Sequence, residues 1–156
     1  MANATVQEGS MTNLRLAEAF LLRASSRLEA LDSLRAEADI SDVVREARDI
    51  VELCFRGMLR SVGIAVPRWI DIRDALRDNL GRLPADVAAQ GDRILEIYAN
   101  LQRESRELMQ EEALPLSERP IVPEAERAFA GARWILELAR LTIDIVAHRR
   151  VPATPV

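Results

Sequence analysis

Four charged residues spaced four positions apart form the group in this sequence that is best suited to bind an anion: Arg48, Glu52, Arg56 and Arg60. On an α-helix this spacing places all four along one polar stripe. The segment 45–82 around them contains eight arginines and six acids, a net charge of +2, whereas the rest of the chain carries thirteen arginines and nineteen acids, a net charge of −6. Because guanidinium groups bind phosphate well, the stripe is interpreted either as a phosphate-binding surface or as a salt-bridged surface.

The only histidine, His148, limits the catalytic chemistry that this chain could perform. A di-iron centre of the helix-bundle type needs Glu-x-x-His pairs on two helices, so that centre is excluded. No serine lies in a nucleophile motif, so no serine–histidine–acid triad is predicted. His148 precedes Arg149 and Arg150 near the predicted end of the last helix, where the helix dipole favours cations. A catalytic role would require an arginine or an acid beside it in space.

The single cysteine, Cys54, excludes an internal disulfide and a metal cluster held by several cysteines. Its neighbours Leu53 and Phe55 are apolar, so a buried thiol is expected. The six glycines are widely spaced and form no glycine-rich phosphate loop. No cofactor and no metal site are therefore predicted.

Length and composition predict one globular domain over residues 1–156, with an ordered core at about 12–148 and a frayed tail at 151–156. Hydrophobic residues make up 49% of the chain and charged residues 29%, which is typical of a protein with a dry core. No apolar run approaches the roughly 20 residues that span a bilayer. The start of the chain also lacks the pattern of a signal peptide, so a cytoplasmic protein that acts away from membranes is expected.

Helices must position these residues, because apolar residues recur at intervals of three and four and no alternating strand pattern is present. The first helix is predicted over about 13–37, with Thr12 or Asn13 as its N-cap. The second is predicted to begin with Ser41 as its N-cap and to end at Gly63 in a left-handed cap.

A short third helix is predicted after Pro67 and is closed by Gly81, and a fourth begins at Pro84. Few apolar residues occur in 102–112, so this part is expected to project into solvent or to contact a partner. The proline-containing segment 114–123 is predicted to be a loop that leads into the last helix. The fold class is therefore all-α: an antiparallel up-and-down bundle of four long helices plus one short helix.

Three separated segments resemble the HEPN family. The run 47–60 resembles the HEPN helix in which an acid, here Glu52, precedes a basic residue, here Arg56, by four positions. The run 62–72 is similar to the family's Gly-x-x-x-Pro-x-x-His-Asp segment, with Ile70 at the place of the histidine before Asp71. Residues 124–138 resemble the family's final helix, and Arg103 and Arg106 precede a proline-containing loop much as in relatives. The resemblance covers roughly residues 14–147.

The resemblance implies a HEPN-like bundle that is commonly a homodimer and engages nucleotides or RNA. Many relatives are paired with a small nucleotidyltransferase in toxin–antitoxin-like modules, and some are metal-independent RNases that use Arg, four to six residues, then His. Here seven residues separate Arg140 from His148, which are the only catalytic candidates. Without a well-placed imidazole, RNA cleavage loses its usual general acid or base.

The function that the resemblance implies is therefore that of a non-catalytic nucleotide-binding, RNA-binding or partner-binding component of a nucleotidyltransferase-linked, toxin–antitoxin-like module. A metal-independent endoribonuclease with a rearranged site around His148 and a structural dimerisation module are the alternatives. The predicted ligand-binding residues combine those implied by the resemblance with neighbouring arginines: Glu52, Arg56, Arg60, Arg68, Asp71, Arg103 and Arg106.

Overall fold

Six α-helices and a 3-10 turn make up the parts of the chain described by the computed structural model, residues 2–111 and 123–149. No strand occurs within these two ranges, which confirms the all-α class. The predicted loop before Pro123 and the predicted frayed tail lie outside the described residues. The elements in chain order are α1 (Ala2–Leu34), α2 (Ile40–Ser61), α3 (Ile72–Asp78), the 3-10 turn (Leu80–Arg82), α4 (Ala85–Ala88), α5 (Gly91–Glu111) and α6 (Pro123–Arg149).

Helix α2 lies at the centre and packs against α1, α5 and α6. Thirteen of its 22 residues are buried, because pairs of adjacent apolar residues, such as Val43–Val44 and Met58–Leu59, widen its apolar face beyond one stripe. Its polar residues are therefore confined to a narrow face. Any binding chemistry on α2 has to occur along that face or at its two ends.

Helices α1 and α2 run antiparallel. Ala17 near the middle of α1 approaches Gly57 near the end of α2, and Arg27, later in α1, pairs with Glu46, earlier in α2. Helix α6 is also antiparallel to α1, because Arg35, directly after α1, contacts the start of α6, whereas Ser25, earlier in α1, accepts from Arg140, later in α6. The Arg35 guanidinium binds the Glu126 carboxylate at 3.0 Å.

Most of the apolar residues that the helical periodicity predicts to face the core are buried, which confirms the periodicity used to assign the long helices, but Leu14, Val62 and Leu108 are only partly buried. The apolar core is continuous and draws on α1, α2, α5 and α6 as well as on the short elements between them. The predicted core residues found buried are Leu21, Leu28, Val51, Met58, Leu101, Leu136 and Ile143.

The predicted end of α2 is confirmed. Gly63 has a φ of +88°, a left-handed conformation that costs glycine little. Its N–H donates to the Arg60 carbonyl at 2.9 Å, and the N–H of Ile64 donates to the Leu59 carbonyl at 2.9 Å. These two bonds form a Schellman cap and turn the chain sharply out of the helix.

Two predicted helix starts are wrong. Helix α1 begins at Ala2 instead of about residue 13, and the Thr12 hydroxyl donates to the Glu8 carbonyl at 2.9 Å inside the helix instead of capping it. Helix α2 is capped by Asp39, whose carboxylate accepts from the N–H of Ser41 at 3.3 Å. Ser41, the predicted N-cap, is a buried residue of the first turn.

The segment predicted as one helix from Pro84 is divided into α4 and α5. Gly91, the first residue of α5, contacts Leu80 so closely that an added Cβ would lie 2.7 Å from its Cδ1 atom. The short third helix also starts later than predicted, at Ile72, after its N-cap Asp71. The residues between Pro67 and Asp71 therefore belong to a turn.

Candidate functional site

The first half of α2 carries charged groups that satisfy one another. Arg27 of α1 donates from Nε and Nη2 to the two carboxylate oxygens of Glu46 at 2.6 and 2.8 Å, and Nη2 also lies 3.3 Å from Asp49 Oδ2. The bond to Glu46 raises the pKa of the Arg27 guanidinium further. Glu46 and Asp49 are thus paired with α1, whereas Arg48 Nε is buried and has no hydrogen-bond partner among the described residues.

The middle of α2 presents Glu52 to the hydroxyl of Tyr98, which lies on α5. The Tyr98 hydroxyl donates to Glu52 Oε1 at 2.7 Å, and the ring packs edge-on against Phe55 with centroids 5.3 Å apart. Burial, the bond to Glu52 and the negative charge of Asp71 all raise the pKa of Tyr98. Arg48 Nε lies 3.9 Å from the same Glu52 oxygen, so the carboxylate has a cationic neighbour as well.

The end of α2 borders a cleft of about 240 Å³ between α1, α2 and the chain that follows the Gly63 cap. Arg56 and Arg60 supply its polar surface. The other lining residues are apolar and come from both sides of the cleft: Leu16, Phe20, Ile64, Ala65 and Val66. No carboxylate lines the cleft in the described part of the chain, so its field is positive.

The two arginines of the cleft are unequally satisfied. Arg56 Nη1 donates to the Val66 carbonyl at 2.9 Å, a bond that ties the outgoing chain back to α2. Arg60 Nε is buried and has no hydrogen-bond partner among the described residues. Arg48 Nε is also buried without a hydrogen-bond partner, but Asp49 and Glu52 lie 3.8 and 3.9 Å from its guanidinium, whereas no carboxylate among the described residues lines the cleft around Arg60. A buried donor without an acceptor is costly, so Arg60 is the clearer sign of an anion that should occupy this cleft.

A turn at Pro67–Ile70 follows the cleft wall and carries two exposed side chains. The Ile70 N–H donates to the Pro67 carbonyl at 3.1 Å, which leaves Arg68 and Trp69 at the tip of the turn. Trp69 is 85% exposed, the most exposed of the large apolar residues among those described. Asp71 then accepts from the N–H of Arg73 at 2.8 Å and serves as the N-cap of α3.

The remaining predicted arginines lie elsewhere. Arg103 lines a second cleft of about 270 Å³ between α5 and α6, together with Glu104 and Arg127, and shares no lining residue with the first cleft. Burial raises the pKa of Glu104, and the two arginines oppose that shift. Arg106 is exposed on α5 and lines neither cleft. The predicted ligand-binding residues therefore lie on separate surfaces of the protein.

Arg140 and His148 are not brought together. Eight residues of α6 correspond to about 12 Å along the helix axis. Arg140 Nη2 donates to Ser25 Oγ at 2.8 Å, and His148 Nδ1 lies 2.7 Å from the Asp144 carbonyl in the last turn of α6. Arg140 is therefore bonded to α1, and His148 contacts the last turn of its own helix. His148 lies at the end of α6, where the helix dipole favours a cation, as the sequence predicted.

Two residues of the site were missed in the sequence. Tyr98 was assigned only to the core, although a buried tyrosine hydroxyl generally needs a polar partner, and Glu52 supplies one. Trp69 was treated as part of a short helix, and its exposure follows from the turn that replaces that helix. Nothing in the sequence indicated that Leu16 and Phe20 would form an apolar wall of the cleft.

Comparison with known proteins adds no relative: no protein-family model, no curated protein and no solved structure matches this chain. Over the described ranges, no three acidic, cysteine or histidine side chains gather as metal ligands would. No helix within those ranges is both long and apolar enough to cross a membrane.

Proposed function

We propose that this chain is a HEPN-like protein that binds a phosphate group of a nucleotide or of RNA in the Arg56–Arg60 cleft without cleaving it. The observation that supports this most directly is the buried Arg60 Nε, which lacks a hydrogen-bond acceptor. A phosphate oxygen would satisfy that donor, and a planar guanidinium can engage two phosphate oxygens at once. The free donors of Arg56 would complete the contact.

The apolar walls of the cleft favour a ligand that is more than a bare anion. Leu16 and Phe20 on one side and Ile64 on the other offer surface to the sugar or the base next to the phosphate. The volume of about 240 Å³ lies below the range of roughly 300–1,000 Å³ found for drug-sized ligands. We therefore expect one nucleotide unit to enter the cleft, and any longer ligand to continue outside it.

Binding without cleavage is supported by the surroundings of the cleft. Metal-independent cleavage of RNA needs a group that moves protons near neutral pH, and histidine is the usual one. His148 is exposed in the last turn of α6 and contacts the Asp144 carbonyl, and the cleft is lined by residues of α1, α2 and the following chain.

Assembly remains part of the proposal. Four long helices that alternate in direction would match a HEPN-like bundle, and such proteins are commonly homodimers. Leu22 is 71% exposed and Leu141 is 45% exposed, on α1 and α6 respectively, so these helices retain apolar surface for a second copy. A small nucleotidyltransferase is the other proposed partner, and light scattering of the chain alone and with that enzyme tests both associations.

Titration with AMP and with labelled RNA at two salt concentrations, followed by gel analysis of the RNA, tests the binding proposal. We expect binding that weakens as salt rises, because phosphate contacts release counterions, and RNA that stays intact. Arg56→Ala should weaken binding, whereas His148→Ala should leave it unchanged. Absence of binding at low salt would refute the proposal, and cleavage abolished by His148→Ala would establish the nuclease alternative instead.

A further inference from the structure

The Arg68–Trp69 turn is held in place from both sides, so its exposed tip is not a loose loop. The bond from Arg56 Nη1 to the Val66 carbonyl fixes the chain before the turn. The Asp71 cap fixes the chain after it, since α3 begins at once with the buried Ile72. An aromatic side chain on a fixed turn loses little conformational entropy when it binds a flat partner.

This tip is close to the cleft of the proposed function. Val66 lines the cleft, and Trp69 follows it by three residues, which can span at most about 11 Å even in an extended chain. A stacked nucleic-acid strand rises about 3.4 Å per nucleotide, so about three nucleotides cover that distance. Arg68, exposed next to Trp69, adds a donor for the phosphates between the two positions.

We infer that the ligand is a single-stranded nucleic acid, with one phosphate in the Arg56–Arg60 cleft and a base at most about three nucleotides away stacked on Trp69. This inference rests on the proposed function and narrows it from nucleotides in general to oligonucleotides. Exposed tryptophan is suited to stack on bases of any sequence, because every base has a π face. Base-paired strands hide those faces, so duplexes are poor ligands.

The test compares AMP with a labelled single-stranded nonamer, as RNA and as DNA, on the intact chain. Trp69→Ala should weaken nonamer binding about 5- to 150-fold, the range measured for loss of one stacked base, and should leave AMP binding unchanged. Trp69→Phe should recover most of the loss, because it keeps an aromatic face. Leu34→Ala, which removes another exposed apolar side chain at the end of α1, is the matched control and should have no effect.

Fluorescence gives a second readout that does not depend on affinity. The chain has two tryptophans, so Trp134→Phe leaves Trp69 as the only one, and the nonamer should then quench its emission as it stacks. Equal binding of RNA and DNA would show that the protein recognises the base and the phosphate. Tighter binding of RNA would show that it also contacts the 2′-hydroxyl.

These experiments distinguish a failure of the stacking inference from a failure of the proposed function. If AMP binds but the nonamer binds no more tightly and Trp69→Ala changes nothing, the stacking inference is wrong and the proposed function survives. If neither AMP nor the nonamer binds at low salt, both are wrong. Undiminished emission in the Trp134→Phe chain at saturating nonamer would also overturn the stacking inference, even if binding occurs.

Discussion

The two halves of α2 both carry arginines on the polar face of the helix, but their charged groups are paired to different extents. In the first half, Glu46 and Asp49 are paired with Arg27 of α1. In the second half, Arg60 has no hydrogen-bond acceptor for its buried Nε, and the cleft around it contains no carboxylate among the described residues. Arg48 Nε in the first half is also buried without a hydrogen-bond partner among the described residues, but Glu52 Oε1 lies 3.9 Å from it. The second half is built like a site that needs an anion, so a repeating charge pattern can serve structure at one end and binding at the other.

The sharpest way to break this comparison is to reverse one charge in each half and measure binding. Arg60→Glu should weaken the binding of nucleotide or RNA at least about tenfold, since a charge-assisted phosphate bond is replaced by repulsion. Arg45→Glu, which alters an exposed arginine paired with Asp42 in the first half, should change binding less than about threefold. Equal losses in the two variants would mean that general charge, and not the cleft, determines binding.

Tyr98 sharpens the comparison because its hydroxyl completes the pairing at the middle of the stripe. Tyr98→Phe should lower the free energy of unfolding by about 1–2 kcal/mol, the cost of leaving Glu52 without this donor. Urea denaturation of both chains at neutral pH gives the difference directly. A change below the error of that measurement would show that Glu52 is satisfied without Tyr98.

The same pair of chains predicts a pH dependence. Burial and the bond to Glu52 raise the pKa of Tyr98 above its value of about 10 in the unfolded chain. The unfolded state therefore loses this proton first, and the wild-type chain loses stability relative to Tyr98→Phe by about 1.4 kcal/mol per pH unit above pH 10. The advantage measured at neutral pH should close near pH 11. Burial raises the pKa of the Cys54 thiol to about 12, but this affects both chains equally.

A smaller difference is expected in the free energy of unfolding when an arginine of each paired or unpaired group is replaced. Arg27→Met should cost about 1 kcal/mol, because it leaves Glu46 and Asp49 without their shared partner on a half-exposed surface. Arg60→Met should leave the free energy of unfolding unchanged or raise it by up to about 1 kcal/mol, because an apolar side chain removes the buried Nε donor that has no acceptor. Thermal melting in ligand-free buffer distinguishes the two. Destabilisation by Arg60→Met would mean that Arg60 has a structural role.

The core was predictable from sequence, whereas helix starts were not. Apolar periodicity is a property of a whole helix, so residues such as Leu28 and Leu136 were placed correctly despite errors at the ends. A helix start depends on one hydroxyl or carboxylate with several candidate partners. Thr12 resembles a cap but bonds to the carbonyl four residues before it, and Asp39 provides the cap that had been assigned to Ser41.

The site was predictable as a stripe but not as a cleft. Spacing by four identified Arg56 and Arg60 correctly as neighbours. It could not show that Arg27, far away in the sequence, pairs with Glu46 and Asp49 in the first half of α2. Nor could it place Arg103 in another cleft, because that depends on how α5 packs against α6. Such partners come from tertiary packing, which local patterns do not encode.

The glycine at position 57 has a consequence for what the cleft can accept. A Cβ there would lie 3.1 Å from Leu21 Cδ2 and 3.3 Å from the Ala17 carbonyl oxygen, so α1 and α2 approach each other where no side chain intervenes. Leu16 and Phe20, on the same turns of α1, form one wall of the cleft. The width of the cleft therefore depends on the absence of a side chain at position 57. A substitution at position 57, which contacts no ligand, would therefore change the size of the ligand that the cleft accepts, while every binding residue stays the same.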